Sequence, residues 1–86
     1  MQDNQVEENK FIDLKGKICP LPFVYTKLAL EQMKSGEILK IELDYPPAFI
    51  NVPKSLKIQN LGEVILEKDR DLSESKHIKI MWIKKY

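Results

Sequence analysis

The stretch Asp13-Leu14-Lys15-Gly16-Lys17-Ile18-Cys19-Pro20-Leu21-Pro22 leaves the backbone few choices. Gly16 suits a turn that needs a positive φ, and Pro20 has its φ fixed at a value that suits the first position of a helix. A strand, a turn and a helix are expected in that order, with the helix opening at Pro20. Cys19, the single cysteine of the chain, then falls at the helix N-cap. A sulfur there faces the positive end of the helix dipole, which favours thiolate over thiol, and it stands at a loop tip within a partner's reach. An exposed helix terminus contributes about 0.3–1 kcal/mol, less than the roughly 1.4 kcal/mol that moves a pKa by one, so the dipole alone makes a modest nucleophile. Pro20 and Pro22 carry no N–H, which leaves the amides of Leu21 and Phe23 as the expected donors to the sulfur. Lys15 and Lys17 add positive potential, and Asp13 is placed to accept loop amides and hold the turn.

A lone cysteine is most often a small buried apolar residue. Two prolines in the three residues after Cys19, with Gly16 three residues before it, define a change of direction that packing does not require. The only histidine, His77, lies far along the chain in a strand-like stretch, so a Cys–His pair has weak support. A sulfur that accepts a group and passes it on fits better than a self-sufficient hydrolase.

The remaining elements follow from periodicity. Residues 10–14 hold Phe11, Ile12 and Leu14 and read as a short strand. Helix one is expected over residues 20–35, with Leu21, Val24, Tyr25, Leu28, Ala29 and Met33 as its core stripe, Phe23 off that stripe, and Gly36 as the stop. Residues 38–44 alternate, placing Leu39, Ile41 and Leu43 on a covered face and Lys40, Glu42 and Asp44 on a wet one. Tyr45-Pro46-Pro47 is expected to break regular structure, and Asn51 with Pro53 to open a second helix that runs to about residue 60 and ends at Gly62. Residues 63–68 form a third strand, residues 69–75 a polar loop and residues 76–84 a fourth strand. In that last strand Ile78, Ile80 and Trp82 lie on one face, with His77, Lys79, Met81 and Ile83 on the other. The order is βαβαββ, an α+β chain whose two helices lie on one face of a four-stranded mixed sheet in a two-layer α/β sandwich.

Residues 1–9, with Asp3, Glu7 and Glu8, read as a disordered lead-in, and residues 10–86 as one domain with room for one thin core. Fourteen Lys and Arg stand against 13 Asp and Glu, a formal net charge of +1, which announces neither a nucleic-acid nor an anionic membrane partner. No direct contact with nucleic acid and no membrane insertion are expected, and one unpaired cysteine without an apolar leader suits the reducing cytoplasm. The sequence holds no Gly-rich phosphate loop and no Cys or His cluster at metal-ligand spacing, so neither a metal nor a cofactor is expected.

Asp13-x-x-Gly16-x-x-Cys19-Pro20-x-Pro22, followed by Ala29-Leu30, Gly36-Glu37, Asp44 and a helix opening near Val52-Pro53, resembles the TusA/SirA family of small sulfur-carrier proteins over residues 11–86. The resemblance implies that Cys19 carries sulfur as a persulfide, with Asp13, Gly16, Pro20 and Pro22 as its supporting motif. It also implies a cysteine desulfurase or rhodanese-like sulfur donor and a downstream acceptor protein. The pathways it suggests are tRNA thiolation, molybdenum-cofactor enzymes and thiosulfate or sulfur trafficking. Two departures leave the subgroup open: Asp44-Tyr45-Pro46-Pro47 stands where many relatives have a second acid or Asp-Pro, and Gly62-Glu63 where many have a histidine after the glycine. The rival reading is a non-catalytic regulatory module of the same fold that binds RNA or protein. A basic stripe with aromatic residues would favour it, and along the sequence the lysines are spread among acids.

Overall fold

The computed structural model describes residues 7–18, 20–73 and 76–86, with the backbone alone for residues 71–73 and 76. Cys19 and residues 1–6 lie outside the described residues, as do Glu74 and Ser75 of the expected polar loop. The elements are β1 (Lys10–Asp13), α1 (Leu21–Glu31), β2 (Ile38–Leu43), α2 (Pro46–Ile58), β3 (Gly62–Ser73) and β4 (Lys76–Lys85). The expected βαβαββ order holds, and the four strands make one mixed sheet in the order β1-β2-β4-β3. β1 runs parallel to β2, while β4 is antiparallel to both β2 and β3. Asn9 already belongs to this sheet: its amide donates to the Ile38 carbonyl at 2.7 Å and its side chain accepts from the Ile38 amide at 2.8 Å.

Alternation along β2 and β4 splits the apolar residues between two faces. Leu39, Ile41, Leu43, Met81 and Ile83 pack with Ala29, Leu30, Met33, Ala48, Val52 and Leu56 in the core between sheet and helices. Ile78, Ile80 and Trp82, with Ile38 and Leu66 against them, make a second cluster on the opposite face. Both assignments match the alternation read from the sequence.

Expectations are corrected at four places. Helix α1 presents Pro22, Thr26, Ala29 and Leu30 to the core, with Met33 joining them just past its end; of the expected stripe Ala29 and Met33 are buried, whereas Leu21, Val24, Tyr25 and Leu28 are exposed and Phe23 is half-buried against the core. The helix is apolar on two tracks, and periodicity cannot choose between them; the buried track holds Pro22, Thr26 and Ala29, compact side chains that suit a face pressed against the core. Thr26 satisfies its hydroxyl by donating to the Pro22 carbonyl at 2.7 Å. The helix also ends sooner than expected, at Glu31, and a turn through Gly36, at φ +89°, leads into β2.

Helix α2 starts five residues before the expected Asn51. Tyr45 is its extended N-cap, Pro46 and Pro47 open the first turn, and Pro53 lies inside. Prolines at the first helical positions forfeit donors that have no intrahelical partner anyway. The helix continues through Pro53 because Ala48, Val52 and Leu56, all fully buried, span that point on one stripe. It ends at Ile58 and is capped by Asn60, at φ +57°, not by Gly62: the Leu61 amide reaches the Leu56 carbonyl at 2.9 Å and the Asn60 amide the Lys57 carbonyl at 3.1 Å, the two bonds of a Schellman cap.

Residues 69–73, expected in a loop, continue β3. Asp69 finds partners across the hairpin, 3.0 Å from both Lys79 Nζ and His77 Nε2. The fourth correction is Glu42, placed by alternation on a wet face but only 6% exposed.

Candidate functional site

The turn between β1 and α1 is tied down residue by residue. Leu14 is buried and its amide extends the parallel ladder to the Glu42 carbonyl at 2.9 Å. The Lys17 amide donates back to the Leu14 carbonyl at 3.1 Å, closing a four-residue turn with Gly16 third at φ +86°. That position of a type II turn requires positive φ, which explains the glycine. The Asp13 carboxylate accepts from the Lys15 amide at 3.0 Å, as its sequence position suggests, and the Asp44 carboxylate accepts from the Gly16 amide at 2.9 Å.

A charge cluster underlies the turn. Lys15 Nζ bridges Asp13 at 3.0 Å and Glu42 at 2.8 Å, and Arg70 from β3 donates to the same Glu42 oxygen at 3.0 Å. The Lys15 amide, and after it the Lys15 ammonium, hold the Asp13 carboxyl below the usual carboxylate range. Glu42 first, then Asp13, hold the Lys15 ammonium charged above its ordinary value. The charge of Lys15 is therefore engaged by two carboxylates, while Lys17 Nζ lies 5.6 Å from the centre of the Tyr25 ring. Asp13, Lys15 and Gly16 thus come together in one bonded unit, with Lys17 turned to the helix.

Past the turn, the Leu21 amide donates to the Ile18 carbonyl at 2.9 Å and the Val24 amide to the Pro20 carbonyl at 3.1 Å. The helix consequently begins at Leu21, with Pro20 as its N-cap, one position later than expected. The Leu21 amide, offered by the sequence as a donor to sulfur, is spent on closing the turn from Ile18 to Leu21. Pro22 is buried and anchors the first turn of the helix.

On the face of α1 turned from the core, Leu21, Val24, Tyr25 and Leu28 continue an exposed apolar track that starts at Ile18, with Leu28 51% exposed. Sequence reasoning missed Glu42 and Arg70 as parts of the site. Only strand register brings them to Lys15. Asp44 carried a signal, as part of the motif string, though its bond to Gly16 was not foreseen. Among the described residues no group of three or more His, Cys, Asp and Glu side chains is arranged to hold a metal ion. No helix of the described residues is long and apolar enough to cross a membrane.

Two helices on one face of a four-stranded mixed sheet define a SirA-like α+β protein. The crystal structure of a SirA-like protein from Desulfitobacterium hafniense matches with a TM-score of 0.58 at 19% identity, covering 85% of this chain and 95% of that one. In sequence, residues 10–85 match the family model described as "Sulfurtransferase TusA". The chain belongs to that family. Relatives named "Putative sulfur carrier protein" include one from Archaeoglobus fulgidus, 42% identical over 67 residues, or 78% of this chain and 76% of that protein. Another, from Thermotoga maritima, is 45% identical over 58 residues, 67% of this chain and 71% of that protein. YedF of Escherichia coli K12, "Putative sulfur carrier protein YedF", is 38% identical over 60 residues, 70% of this chain and 75% of its own length.

Proposed function

We propose that this protein relays sulfane sulfur as a persulfide on Cys19. The observation that carries the reading is the doubly closed turn: Leu14–Lys17 on one side and Ile18–Leu21 on the other fix the backbone that flanks position 19, between an exposed Ile18 and an exposed Pro20. The Cys19 thiolate attacks the outer sulfur of a donor protein's persulfide. The donor's S–S bond breaks, its cysteine leaves as thiolate, and a new S–S bond forms on Cys19. The acceptor protein then takes that outer sulfur, restoring the Cys19 thiolate. Asp13, Gly16, Pro20 and Pro22 hold the turn; Lys15, through Glu42, belongs to the same framework.

The donor is a cysteine desulfurase or rhodanese-like protein, and the exposed track of α1 is where it docks: a desolvated apolar patch beside the reacting atom positions a partner without occupying the sulfur. The acceptor pathways that fit are tRNA thiolation, molybdenum-cofactor assembly and thiosulfate or sulfur trafficking, all in the reducing cytoplasm. The test is intact-mass analysis under non-reducing conditions after incubation with a cysteine desulfurase and cysteine. Wild type gains the mass of one sulfur atom, which reductant removes, and Cys19→Ser gains none. Equal loading of the serine variant overturns the proposal.

A further inference from the structure

The sheet face turned away from the helices carries a row that no stretch of sequence contains. Strand register lines up Phe11 on β1, Lys40 on β2, Trp82 on β4 and Leu66 on β3. Lys40 Nζ stands 5.5 Å from the ring centres of both Phe11 and Trp82, and Lys68 Nζ stands 5.8 Å from Trp82. Phe11 is 46% exposed.

The charges on this face do not balance. Glu42 and Asp13 are matched by Lys15 and Arg70, and Lys84 lies across the ladder from Glu63. Lys40 and Lys68 have no acidic partner among the described residues, so the face carries two uncompensated cations over its aromatic rings. The indole Nε1 of Trp82 is buried and has no hydrogen-bond acceptor among the described residues.

Each feature selects the occupant. A second copy stacked face to face would set Lys40 and Lys68 against themselves. An acidic peptide would meet the ammonium groups but presents a ring only where its sequence holds an aromatic residue, whereas a nucleic acid presents one at every nucleotide. An unpaired nucleic-acid strand supplies phosphates for the lysines and a π-face for the exposed Phe11 ring; a duplex hides its bases. Single strands with splayed bases are characteristic of RNA loops and ends. We infer that this face binds single-stranded RNA, with Phe11 as the stacking platform, Lys40 and Lys68 on the phosphates, and the buried Trp82 ring beneath the two lysines. The expectation of no nucleic-acid contact rested on a balanced net charge and on lysines spread among acids along the chain; the register gathers two of those lysines onto the rings. The proposal is independent of the sulfur chemistry, since none of these four residues belongs to the cysteine turn or to α1.

Trp82 is the only tryptophan, so its fluorescence reports the face directly. The full chain is titrated at low salt with a twelve-nucleotide oligouridine, with the DNA counterpart, with polyglutamate and with anionic phosphatidylserine vesicles. The expected result is saturable quenching by the RNA, with affinity falling with salt at a log–log slope of about −1.4 for two phosphate contacts. Phe11→Ala weakens binding about ten-fold, in the range of one lost stacking contact. Lys40→Glu and Lys68→Glu each weaken it and flatten the slope. Persulfide loading on Cys19 stays at the wild-type level in all three variants, which separates a lost RNA site from a lost fold. Absence of RNA binding, an unchanged Phe11→Ala, or tighter binding of DNA, polyglutamate or vesicles overturns the assignment. None of these outcomes alters the sulfur-loading result.

Discussion

Glu42 is where the charges beneath the cysteine turn converge. It joins β2 to Lys15 of the turn and to Arg70 of β3 from a position only 6% exposed. Glu42→Gln keeps the shape and removes the charge, leaving Arg70 without its carboxylate. The expected loss is about 1–2 kcal/mol, discounted because Arg70 is half in solvent, read as a lower urea midpoint at unchanged slope. The pH dependence carries the same signature with two opposite signs. Asp13 is lowered, so its contribution is present above the unfolded carboxylate value of about 3.9 and is lost as pH falls through the lowered one. Lys15 is raised, so its contribution is full below about 10.4 and is lost as pH rises through the raised value. Thermal melts at alkaline pH are expected to show a smaller decline for Glu42→Gln than for wild type. Part of the decline remains, because Asp69 raises Lys79 in the same way. Two glycines separate conformation from space. Gly16→Ala meets no atom within 4 Å and is strained by its φ of +86° alone, about 1–2 kcal/mol. Gly62→Ala would place a Cβ 2.8 Å from the Lys84 carbonyl oxygen and forces β3 off β4. Alanine at both positions lowers the melting temperature, but only at Gly62 does it disturb the amide signals of Ile83 and Lys84.

The rotation of α1 is the decisive fact at the level of elements. Leu30 is buried and Leu28 exposed, two residues apart on the same helix. Leu30→Ala is expected to cost about 2–5 kcal/mol in chemical denaturation, and Leu28→Ala within about 0.5 kcal/mol. Leu28→Glu should keep the fold while slowing persulfide loading by a desulfurase; unchanged loading would remove α1 as the docking face. Sequence alone made the strands legible because a period of two assigns a face to every residue, and the apolar residues of β2 and β4 lie on the faces that period gives them. It could not orient α1, whose apolar residues occupy two helical tracks, nor tell a Pro-Pro pair that ends one segment from the same pair opening the next. The start of the site was legible through Asp13, Gly16 and the prolines, whose demands are local. Glu42 and Arg70 were not, since Glu42 meets Lys15 only once β1 has paired with β2, and Arg70 meets Glu42 only once β4 lies between β2 and β3.

As a whole, the molecule is two layers with unequal sides. The helices cover one face of the sheet, and among the described residues the other is closed by its own Ile38, Leu66, Ile78, Ile80 and Trp82. Hydrogen exchange should follow the strand order: amides of β4 and the β4-facing side of β2 slowest, those of the edge strand β1 faster by orders of magnitude. The strand that lies between β2 and β3 is also the one made after both. A chain emerging from a ribosome can pair β1 with β2, but β3 has no neighbour and the core no floor until residues 76–85 have left the exit tunnel. Folding is thus postponed to the end of this segment's synthesis, and a nascent chain halted at residue 75 should be protease-sensitive throughout. The turn between β1 and α1, whose Lys15 shares Glu42 with Arg70, would reach its final shape only after translation has passed the fourth strand.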